Sequence, residues 1–596
     1  MSYQLMYASW LNDPTVDEAT KAELRNIAND PKEIEDRFYK ELEFGTGGLR
    51  GVLGAGTNRL NIYTIRKATQ GLANYILASD VYKPDMGVAI AHDSRNMSPE
   101  FSTEAALVLN ANGIKTYTFD SLRPTPLLSF AVRYLGCVAG IVVTASHNPP
   151  EYNGYKVYWS DGGQCPYPRD EAIIQEVQKV KDFSMVKTMP RTEAEAKGLF
   201  NVAAPDVDDA FIANVKAQCL NPEIIPESDI KIVYTPLHGA GNVSVQRVLG
   251  EMGFKNVYVV KEQEQPDGNF PTVDYPNPED MKAFSCAIKL AKEKNADIVV
   301  ATDPDCDRVG VAVRQNGEYM LLNGNMTGVI LTEYLVTQMQ AKDKLPAKGA
   351  IISTIVSTQM ARAITEVSGL TYMEVLTGFK YIGEKIKEFE ETGSHNYIFG
   401  FEESYGYLAG TYARDKDAVG ATLLICEAAA YYRKQGLSLY DVLQALYKKY
   451  GMYKESIESI TLKGVEGVEN IKKIMSALRK KPPERLGGAA VTEARDYKSG
   501  IIKILTTGQT KPTELPVSDV LYYATADNSW ACVRPSGTEP KIKIYFGVKA
   551  DSESELVRSS APTIRPQLCG ATAADADVKL ATLAKDMLAI IDSILE

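Results

Sequence analysis

The sequence predicts an α/β protein: three related α/β domains with mixed sheets, followed by a C-terminal α+β domain. The first observation is a repeated order of buried-type strand, polar turn, helical pattern and second short strand. The first strands of the three repeats are Gly87–Ala91, Lys231–Tyr234 and Ala350–Val356. The second strands are Thr116–Phe119, Val257–Val260 and Tyr372–Leu376. This spacing is typical of parallel strands joined by helical crossovers.

The second observation concerns the last part of the chain. Polar helical segments are predicted after about Tyr453, and two strands, Trp530–Val533 and Lys541–Phe546, are separated only by a short turn. A short turn favours antiparallel pairing and an α+β domain. Polar stretches place the domain boundaries, which gives domains at 1–206, 207–322, 323–454 and 455–596.

Composition and net charge argue against several classes of protein. The 596 residues carry a net charge of −11, which argues against a nucleic-acid partner because such proteins present basic surfaces. The N-terminus lacks the basic start and apolar core of a signal peptide, and no apolar run is long enough to cross a membrane. The 8 cysteines include no C-x-x-C pair, so we expect reduced thiols in a cytoplasmic protein.

A serine follows the apolar run Ala139–Val143, in the stretch VTASHNPP. Ser146 could belong to an ordinary turn, act as a hydrolase nucleophile, or carry a phosphoryl group. The chain has no G-x-S-x-G elbow, and in an extended chain the side chains of Ser146 and His147 would point apart. A Ser–His nucleophile pair is therefore not expected. A phosphoryl carrier needs a metal and hydrogen-bond donors, and Lys156 lies ten residues on.

A candidate metal loop, ATDPDCDR, lies between two apolar strands. In an extended segment Asp303, Asp305 and Asp307 would project to one side, and their oxygens suit Mg²⁺ or a similar ion. An EF-hand is excluded because Arg308 and Arg314 stand where its glycine and glutamate belong. A solvated acidic turn is the alternative, but the flanking apolar strands favour a divalent metal.

Three other loops have possible ligand chemistry, each with a structural alternative. RPSGTEP, starting at Arg534, could cradle a phosphate or form a plain hairpin turn. GFEESYG, starting at Gly400, and the nearby Arg414–Asp417 could hold sugar hydroxyls or be ordinary loops. The glycine-dense 43–51 stretch is by default a flexible surface loop. There is no Walker motif and no G-x-G-x-x-G, so nucleotide binding has no support from these fingerprints.

Taken in order, these motifs resemble those of the α-D-phosphohexomutase family. VTASHNPPEYNGYK is similar to its phosphoserine loop, ATDPDCDR to its metal loop, GFEESYG to its sugar-binding loop and RPSGTEP to its phosphate-binding loop. With GTGGLRG and LTGFKYIG, the resemblance covers nearly the whole chain. It implies four domains around a central cleft, the fourth being more mobile. It also implies reversible transfer between the 1- and 6-phosphates of glucose, through a phosphorylated Ser146 and a glucose 1,6-bisphosphate intermediate that also serves as activator.

The resemblance also assigns roles to residues. Mg²⁺ would be held by Asp303, Asp305, Asp307 and the Ser146 phosphate. Proton transfer would fall to the loop containing His147 and Lys156, and the transferring phosphate would face Arg50 and Arg308. Sugar contacts would come from Thr377, Gly378, Glu402 and Ser404. The non-reacting phosphate would be clamped by Arg534, Ser536, Gly537 and Thr538, with Lys416 as a helper.

The choice of sugar rests on the sequence Glu402-Glu403-Ser404-Tyr405-Gly406. Mannose-type members of the family usually have Glu-Met-Ser-Gly-His there, so the sequence favours glucose. Pentose 1-phosphates are the main alternative, because the chain also resembles the subgroup that contains phosphopentomutases, and mannose is a weaker one. Two other hypotheses for the function are a non-catalytic phosphosugar-binding protein and a metal-dependent phosphatase. The expected partner is a small phosphosugar, with no nucleic acid and no membrane; the sequence does not predict the oligomeric state.

Overall fold

The computed structural model describes residues 2–45, 48–462, 464–536, 541–550 and 568–596. The chain forms two compact units. The first comprises Met1–Thr327 and Phe379–Ser438, and the second comprises Gly328–Gly378 and Leu439–Glu596.

Three short helices precede the first sheet. They are α1 (Tyr3–Asn12), α2 (Glu18–Asn26) and α3 (Pro31–Phe38). Ser2, Asp17 and Asp30 cap them, each accepting a hydrogen bond from a backbone N–H of the first turn. A cluster of buried side chains that includes Trp10, Phe38 and Tyr63 packs them onto the first domain.

A six-stranded mixed sheet forms the centre of the first domain. Its strands, in the spatial order β1-β5-β4-β2-β3-β6, are β1 (Gly48–Val52), β2 (Gly87–His92), β3 (Lys115–Thr118), β4 (Ala139–Val143), β5 (Tyr152–Trp159) and β6 (Phe200–Val202). β2 pairs in parallel with both β3 and β4, whereas β5 is antiparallel to β4 and to β1. The helices are α4 (Ile62–Ala78), α5 (Ser98–Ala111), α6 (Thr125–Tyr134), α7 (Arg169–Lys179) and α8 (Arg191–Ala196), with a 3-10 turn at Phe183–Met185.

A five-stranded sheet follows, in the order β11-β10-β9-β7-β8. Its strands are β7 (Lys231–Thr235), β8 (Asn256–Val259), β9 (Ile298–Thr302), β10 (Val309–Gln315) and β11 (Glu318–Leu322). The helices are α9 (Asp206–Lys216), α10 (Gly241–Met252), α11 (Lys261–Glu264) and α12 (Ser285–Lys294), with 3-10 turns at Pro222–Ile224 and Met281–Phe284. β7 is parallel to β8 and β9, and β9 and β10 form an antiparallel hairpin.

The third α/β region contributes to both units. α13 (Gly324–Ala341), β12 (Gly349–Thr354), α14 (Met360–Val367) and β13 (Thr371–Val375) come first along the chain, and β12 is parallel to β13. The elements that follow are α15 (Phe379–Thr392), β14 (Asn396–Phe401), β15 (Tyr407–Ala409) and α16 (Ala418–Arg433), and β14 is antiparallel to β15. Each of the three predicted strand–helix–strand repeats thus contains a parallel pair: β2–β3, β7–β8 and β12–β13.

An antiparallel sheet dominates the C-terminal part, in the order β16-β23-β22-β21-β18-β19-β20, with β17 paired to β18. The strands are β16 (Met452–Thr461), β17 (Arg485–Leu486), β18 (Ala489–Asp496), β19 (Ile501–Ile504), β20 (Thr510–Pro512), β21 (Leu521–Thr525), β22 (Trp530–Pro535) and β23 (Lys541–Ala550). The helices are α17 (Leu439–Tyr450), α18 (Gly464–Lys480) and α19 (Leu568–Leu595). The β22–β23 hairpin was predicted correctly. The prediction of polar helical segments after Tyr453 was mostly wrong, because β16 begins at Met452 and strands β17–β21 follow α18. Polar residues on the exposed face of an antiparallel sheet account for the misreading.

The fold class predicted from the sequence is confirmed: mixed α/β sheets are followed by an α+β domain. The three boundaries between the four domains stay a prediction. Among the residues that the structure describes, no helix combines the length and the apolar character that a membrane crossing would need.

Candidate active site

Three buried carboxylates converge in the turn between β9 and β10. One oxygen from each of Asp303, Asp305 and Asp307 can be chosen so that all lie within 4.8 Å of one another. The prediction of an extended segment was wrong, because Cys306 has a φ of 55° and the segment folds into a tight turn. Asp303 Oδ1 accepts the backbone N–H groups of Asp307 at 3.1 Å and Arg308 at 3.0 Å. The turn is therefore held by hydrogen bonds from its own backbone N–H groups to the Asp303 carboxylate.

The cluster has the properties of a cation site. Burial and the neighbouring charges of Asp305 and Asp307 raise the pKa of Asp303 well above its usual range. One buried oxygen of Asp305 and one of Asp307, Oδ1 in each case, accept no hydrogen bond from the residues that the structure describes. Buried carboxylate oxygens without donors are costly unless a cation neutralises them. The three residues could therefore hold a metal ion, and hard oxygen ligands suit a hard divalent ion.

Two lysines lie at one side of the carboxylates. Lys156 Nζ is 2.8 Å from Asp305 Oδ2 and 3.2 Å from Asp307 Oδ2, while Lys416 Nζ is 3.2 Å from the latter oxygen and 2.9 Å from Asp415 Oδ1. Burial alone would lower the pKa of Lys156, but the charges of Asp305 and Asp307 outweigh it and raise that pKa. Both ammonium groups thus face the carboxylate cluster.

The serine predicted to carry phosphate lies directly beside this cluster. Ser146 is buried, and its Oγ donates to Asp303 Oδ2 at 2.7 Å. Its φ of 52° turns the chain three residues after β4, and Thr144 Oγ1 accepts the Ser146 backbone N–H at 2.8 Å. This placement joins the ends of β4 and β9 around one hydroxyl.

The prediction that Ser146 and His147 point apart was wrong. Ser146 Oγ lies 3.2 Å from His147 Nδ1, because the left-handed backbone at Ser146 replaces the extended chain that the prediction assumed. Burial and the positive charges of Arg308 and Arg50 lower the pKa of His147 well below its usual range. The imidazole that faces the hydroxyl is therefore neutral at neutral pH.

Two arginines with predicted roles occupy different surroundings. Arg308 follows the carboxylate turn, and its Nη1 donates to Glu279 Oε1 at 2.6 Å. Arg50 lies on β1 opposite Gly154 of β5 and is exposed. Their charges both act on His147, which places both in the surroundings of the serine.

The loop after β4 depends on a buried ion pair that the sequence analysis did not identify. Arg95 donates to the carbonyl oxygens of Ser146 at 2.6 Å, Pro149 at 2.8 Å and Tyr152 at 2.9 Å, and also to that of Asn148. Its Nε lies 3.4 Å from Asp93 Oδ2, an oxygen that also accepts the Thr144 hydroxyl at 2.6 Å. Asp93 and Arg95 follow β2, the parallel neighbour of β4. Their position after a strand of the parallel repeat was the signal that could have identified them.

The predicted sugar loop packs against the carboxylate turn. Glu402 is buried, and its backbone N–H donates to the Gly406 carbonyl at 2.9 Å to close the loop, while Ser404 is half-buried. Tyr405, with a φ of 64°, accepts the Val309 N–H on its carbonyl at 3.1 Å. A Cβ at Gly406 would lie 2.1 Å from Lys416 Cδ, so glycine is needed there to let the lysine side chain pass.

Among the remaining predicted residues, Thr377, Gly378, Arg534 and Ser536 belong to the second unit. Thr377 and Gly378 lie two and three residues after the end of β13. Arg534 lies on β22 and Ser536 follows it, with the Ser536 N–H donating to the Lys541 carbonyl at 2.7 Å. Gly537 and Thr538 lie outside the described residues. The roles of these residues stay predictions.

Models of four successive domains of one family match the chain. They are phosphoglucomutase/phosphomannomutase α/β/α domain I over residues 41–183, domain II over 209–317, domain III over 323–450 and the C-terminal domain over 468–559. The chain belongs to the phosphoglucomutase/phosphomannomutase family. It is 36% identical to a phosphoglucomutase of Staphylococcus aureus strain MRSA252 over 539 residues, which is 90% of this chain and 95% of that protein. The phosphoglucomutase of strain USA300 is likewise 36% identical, over 547 residues, covering 91% of this chain and 96% of that protein.

Solved structures share the fold. The open form of the exocytosis-sensitive phosphoprotein pp63/parafusin, a phosphoglucomutase of Paramecium, gives a TM-score of 0.65 at 17% identity, covering 93% of this chain and 95% of that one. A phosphoglucomutase/phosphomannomutase family protein of Burkholderia thailandensis gives 0.60 at 19% identity, covering 86% and 94%.

Proposed function

We propose that this protein is a phosphoglucomutase, which interconverts glucose 1-phosphate and glucose 6-phosphate through a phosphorylated Ser146 and a glucose 1,6-bisphosphate intermediate. Family membership and the names of the Staphylococcus relatives support the reaction. The observation that carries the proposal is the Ser146 hydroxyl, buried and 2.7 Å from Asp303 in a cluster of three carboxylates. A serine in that position can present a phosphate to a bound cation and to a sugar hydroxyl.

The proposed metal is Mg²⁺, held by Asp303, Asp305 and Asp307 together with a phosphate oxygen on Ser146. The residues fit this ion because oxygen ligands in a small, buried set suit Mg²⁺. When bound, Mg²⁺ would neutralise phosphate charge and polarise the phosphorus–oxygen bonds.

The proposed step moves the phosphoryl group of phospho-Ser146 to the free hydroxyl of the incoming sugar monophosphate. The bond between phosphorus and Ser146 Oγ breaks, a bond to the sugar oxygen forms, and the proton lost by the sugar hydroxyl ends on Ser146 Oγ, which regains its own hydroxyl. His147, whose Nδ1 is 3.2 Å from Ser146 Oγ, is positioned to exchange a proton at this point. Lys156 would share in proton transfer and, with Arg50 and Arg308, stabilise negative charge on the transferring group.

The bisphosphate would then reorient and return its other phosphate to Ser146. We propose that sugar hydroxyls are bound by Thr377, Gly378, Glu402 and Ser404. The phosphate that does not react would be held by Arg534, Ser536, Gly537 and Thr538, with Lys416 as a helper. Arginine, hydroxyl and glycine backbone groups can together satisfy a phosphate's oxygens.

A coupled assay tests the reaction and the sugar. Glucose 1-phosphate, Mg²⁺ and a trace of glucose 1,6-bisphosphate are supplied, and glucose 6-phosphate is followed. Mannose 1-phosphate and ribose 1-phosphate run in parallel, each with its own bisphosphate. We expect fast turnover of the glucose ester, and a loss of more than about 1,000-fold in Ser146→Ala. The exposed Ser593→Ala is the matched control.

Other outcomes would change the proposal in defined ways. Activity only on ribose or mannose phosphate would keep the mechanism and replace glucose. Net phosphate release as the main product would indicate a phosphatase. Binding of glucose phosphates without turnover, unchanged in Ser146→Ala, would indicate a phosphosugar-binding protein. The cytoplasmic location stays a prediction.

A further inference from the structure

A cavity of about 360 Å³ lies where helix α1 meets the first α/β domain. This volume falls within the range of small-molecule sites. Met6, Ser9 and Trp10 of α1 form one wall, and these residues precede the family's domain I match, which begins at residue 41. The cavity lining includes neither Ser146 nor any of the three clustered carboxylates. It is therefore a separate site, built partly by a segment outside the matched domain.

Three aromatic side chains that line the cavity pack against one another. The ring centroid of Trp10 lies 5.4 Å from that of Phe183 and 5.4 Å from that of Tyr63, and the Tyr63 and Phe183 centroids are 5.1 Å apart. Trp10 and Tyr63 are almost fully buried. Phe44, which precedes β1, and Leu49, which lies on β1, add to the apolar surface. A further aromatic ring in the cavity would find aromatic partners for edge or offset-stacked contacts.

The charged lining is predominantly acidic. It consists of four carboxylates and two lysines, namely Asp13, Glu41, Glu43, Asp182, Lys67 and Lys181. Lys67 Nζ is already bonded to both carboxylate oxygens of Glu41, at 2.8 Å each. A net negative lining repels anions and attracts cations. The cavity is thus unsuited to a sugar phosphate and complementary to an aromatic ligand that is neutral or positively charged.

The cavity is connected to the candidate active site through strand β1. Leu49, which lines the cavity, is followed by Arg50, and side chains alternate between the two faces of a strand. Gly48 pairs with Lys156, and Leu49 pairs with Tyr155, whose ring centroid lies 6.5 Å from that of Phe44. A ligand that displaces Phe44 or Leu49 would therefore act on the strand that carries Arg50 and pairs with that of Lys156.

We propose that this cavity binds a neutral or cationic aromatic small molecule, and that its occupancy changes the rate of the reaction through β1. The binding site stands independently of the function proposed above. The effect on rate rests on that function.

Three probes with the same ring and different charge test the binding site: tryptamine, 3-methylindole and indole-3-acetate. Saturation-transfer NMR and calorimetric titration on the full chain give the affinities. We expect tryptamine to bind most tightly, 3-methylindole less tightly and indole-3-acetate at least about tenfold more weakly than tryptamine. Tightest binding of indole-3-acetate, or no binding of any probe at millimolar concentration, would overturn the proposal.

A matched pair of variants locates the binding. Ser9→Trp places a large side chain at the cavity wall from an exposed position of α1, and Ala8→Trp places the same side chain on an exposed neighbouring position that does not line the cavity. We expect the tryptamine dissociation constant to rise at least about tenfold in Ser9→Trp and to stay unchanged in Ala8→Trp, with both melting temperatures near that of the parent. Equal tryptamine binding by Ser9→Trp and the parent would overturn the site.

The effect on rate is measured separately. We expect saturating tryptamine to change kcat or KM for glucose 1-phosphate by at least about twofold in the parent and not in Ser9→Trp. Binding without any change in rate would overturn the regulatory role alone. A protein inactive on every sugar phosphate would refute the proposed function, whereas the NMR result would still decide the binding site.

Discussion

The Ser146 hydroxyl donates to Asp303 Oδ2 at 2.7 Å, although the two residues are 157 positions apart in the chain. The hydroxyl follows β4 of the first sheet, and the carboxylate follows β9 of the second. The other Asp303 oxygen is bonded to backbone N–H groups of its own turn. Asp303 therefore links the candidate phosphate carrier to the candidate metal turn.

Asp303→Asn tests the metal. Removing one of three mutually repelling buried charges should leave the metal-free protein at least as stable as the parent, since the pKa of Asp303 is raised by burial and by its neighbours. Mg²⁺ at 100 times its Kd should stabilise the parent by about 2.7 kcal/mol, and this gain should largely disappear in the variant. Melting temperatures with Mg²⁺ and with EDTA measure both effects. A Mg²⁺ shift as large in Asp303→Asn as in the exposed Asp592→Asn control would refute the assignment.

Lys156→Met should change metal binding and activity in opposite directions. The ammonium lies 2.8 Å from Asp305 and competes with a cation for the same carboxylates. We therefore expect several-fold tighter Mg²⁺ binding by calorimetry, together with a loss of about 100-fold in kcat, because a charge near the transferring phosphate is removed. Lys179→Met, at an exposed helix end, is the control. Weaker Mg²⁺ binding in Lys156→Met would show that the lysine positions the carboxylates.

Arg95→Leu should destabilise the protein and slow the reaction. The substitution leaves Asp93 buried without its partner and removes donors from four carbonyl groups of the serine loop. We expect a loss of about 3–5 kcal/mol in the free energy of unfolding, measured in urea, and a lower kcat in the fraction that folds. The exposed ion pair of Arg25 should contribute at most about 1 kcal/mol, so Arg25→Leu is the comparison. Equal losses for the two variants would contradict a positioning role for Arg95.

Acid stability of the N-terminal helices should depend on Tyr63. Partial burial raises the pKa of Asp17, but hydrogen bonds from Tyr63 and Thr20 outweigh it and lower the pKa to about 2. A carboxyl group whose pKa is lowered by folding stabilises the folded state above pH ~4, and this stabilisation is lost as the pH falls through about 2. Tyr63→Phe removes the 2.6 Å bond to Asp17 Oδ2, so this contribution should be smaller and lost at higher pH. Circular dichroism between pH 5 and 2 measures the shift, with Tyr3→Phe as control; equal midpoints would refute the prediction.

Parts of the fold could be predicted because they depend on local periodicity. Buried strands such as Ala139–Val143 and the helices after them have distinct apolar patterns, and the parallel pairs followed from their spacing. The exposed strands of the C-terminal sheet could not be separated from polar helices, because their pairing is decided by partners such as β16 and β23, some 90 residues apart.

The candidate site was predictable in its chemistry and not in its geometry. The three aspartates stood out by spacing, but their convergence depends on a left-handed residue at Cys306, a conformation that cysteine rarely adopts. The same holds for Ser146, whose φ of 52° brings it to His147. Arg95 was missed because it binds backbone carbonyl groups 51 to 57 positions later in the chain. Every residue type has such a carbonyl, so the sequence does not show which ones will accept a hydrogen bond.

Two of the bonds that hold the carboxylate turn to its neighbours have a consequence for evolution. Val309 donates to the carbonyl of Tyr405, and Ala418 donates to the carbonyl of Cys306, so both attachments are between main-chain atoms. Main-chain attachments survive a change of side chain. Substitutions at residues 402–404, which we propose to contact the sugar, would leave these two main-chain bonds in place. This offers a route by which one scaffold can diversify its specificity while the carboxylate turn keeps its position.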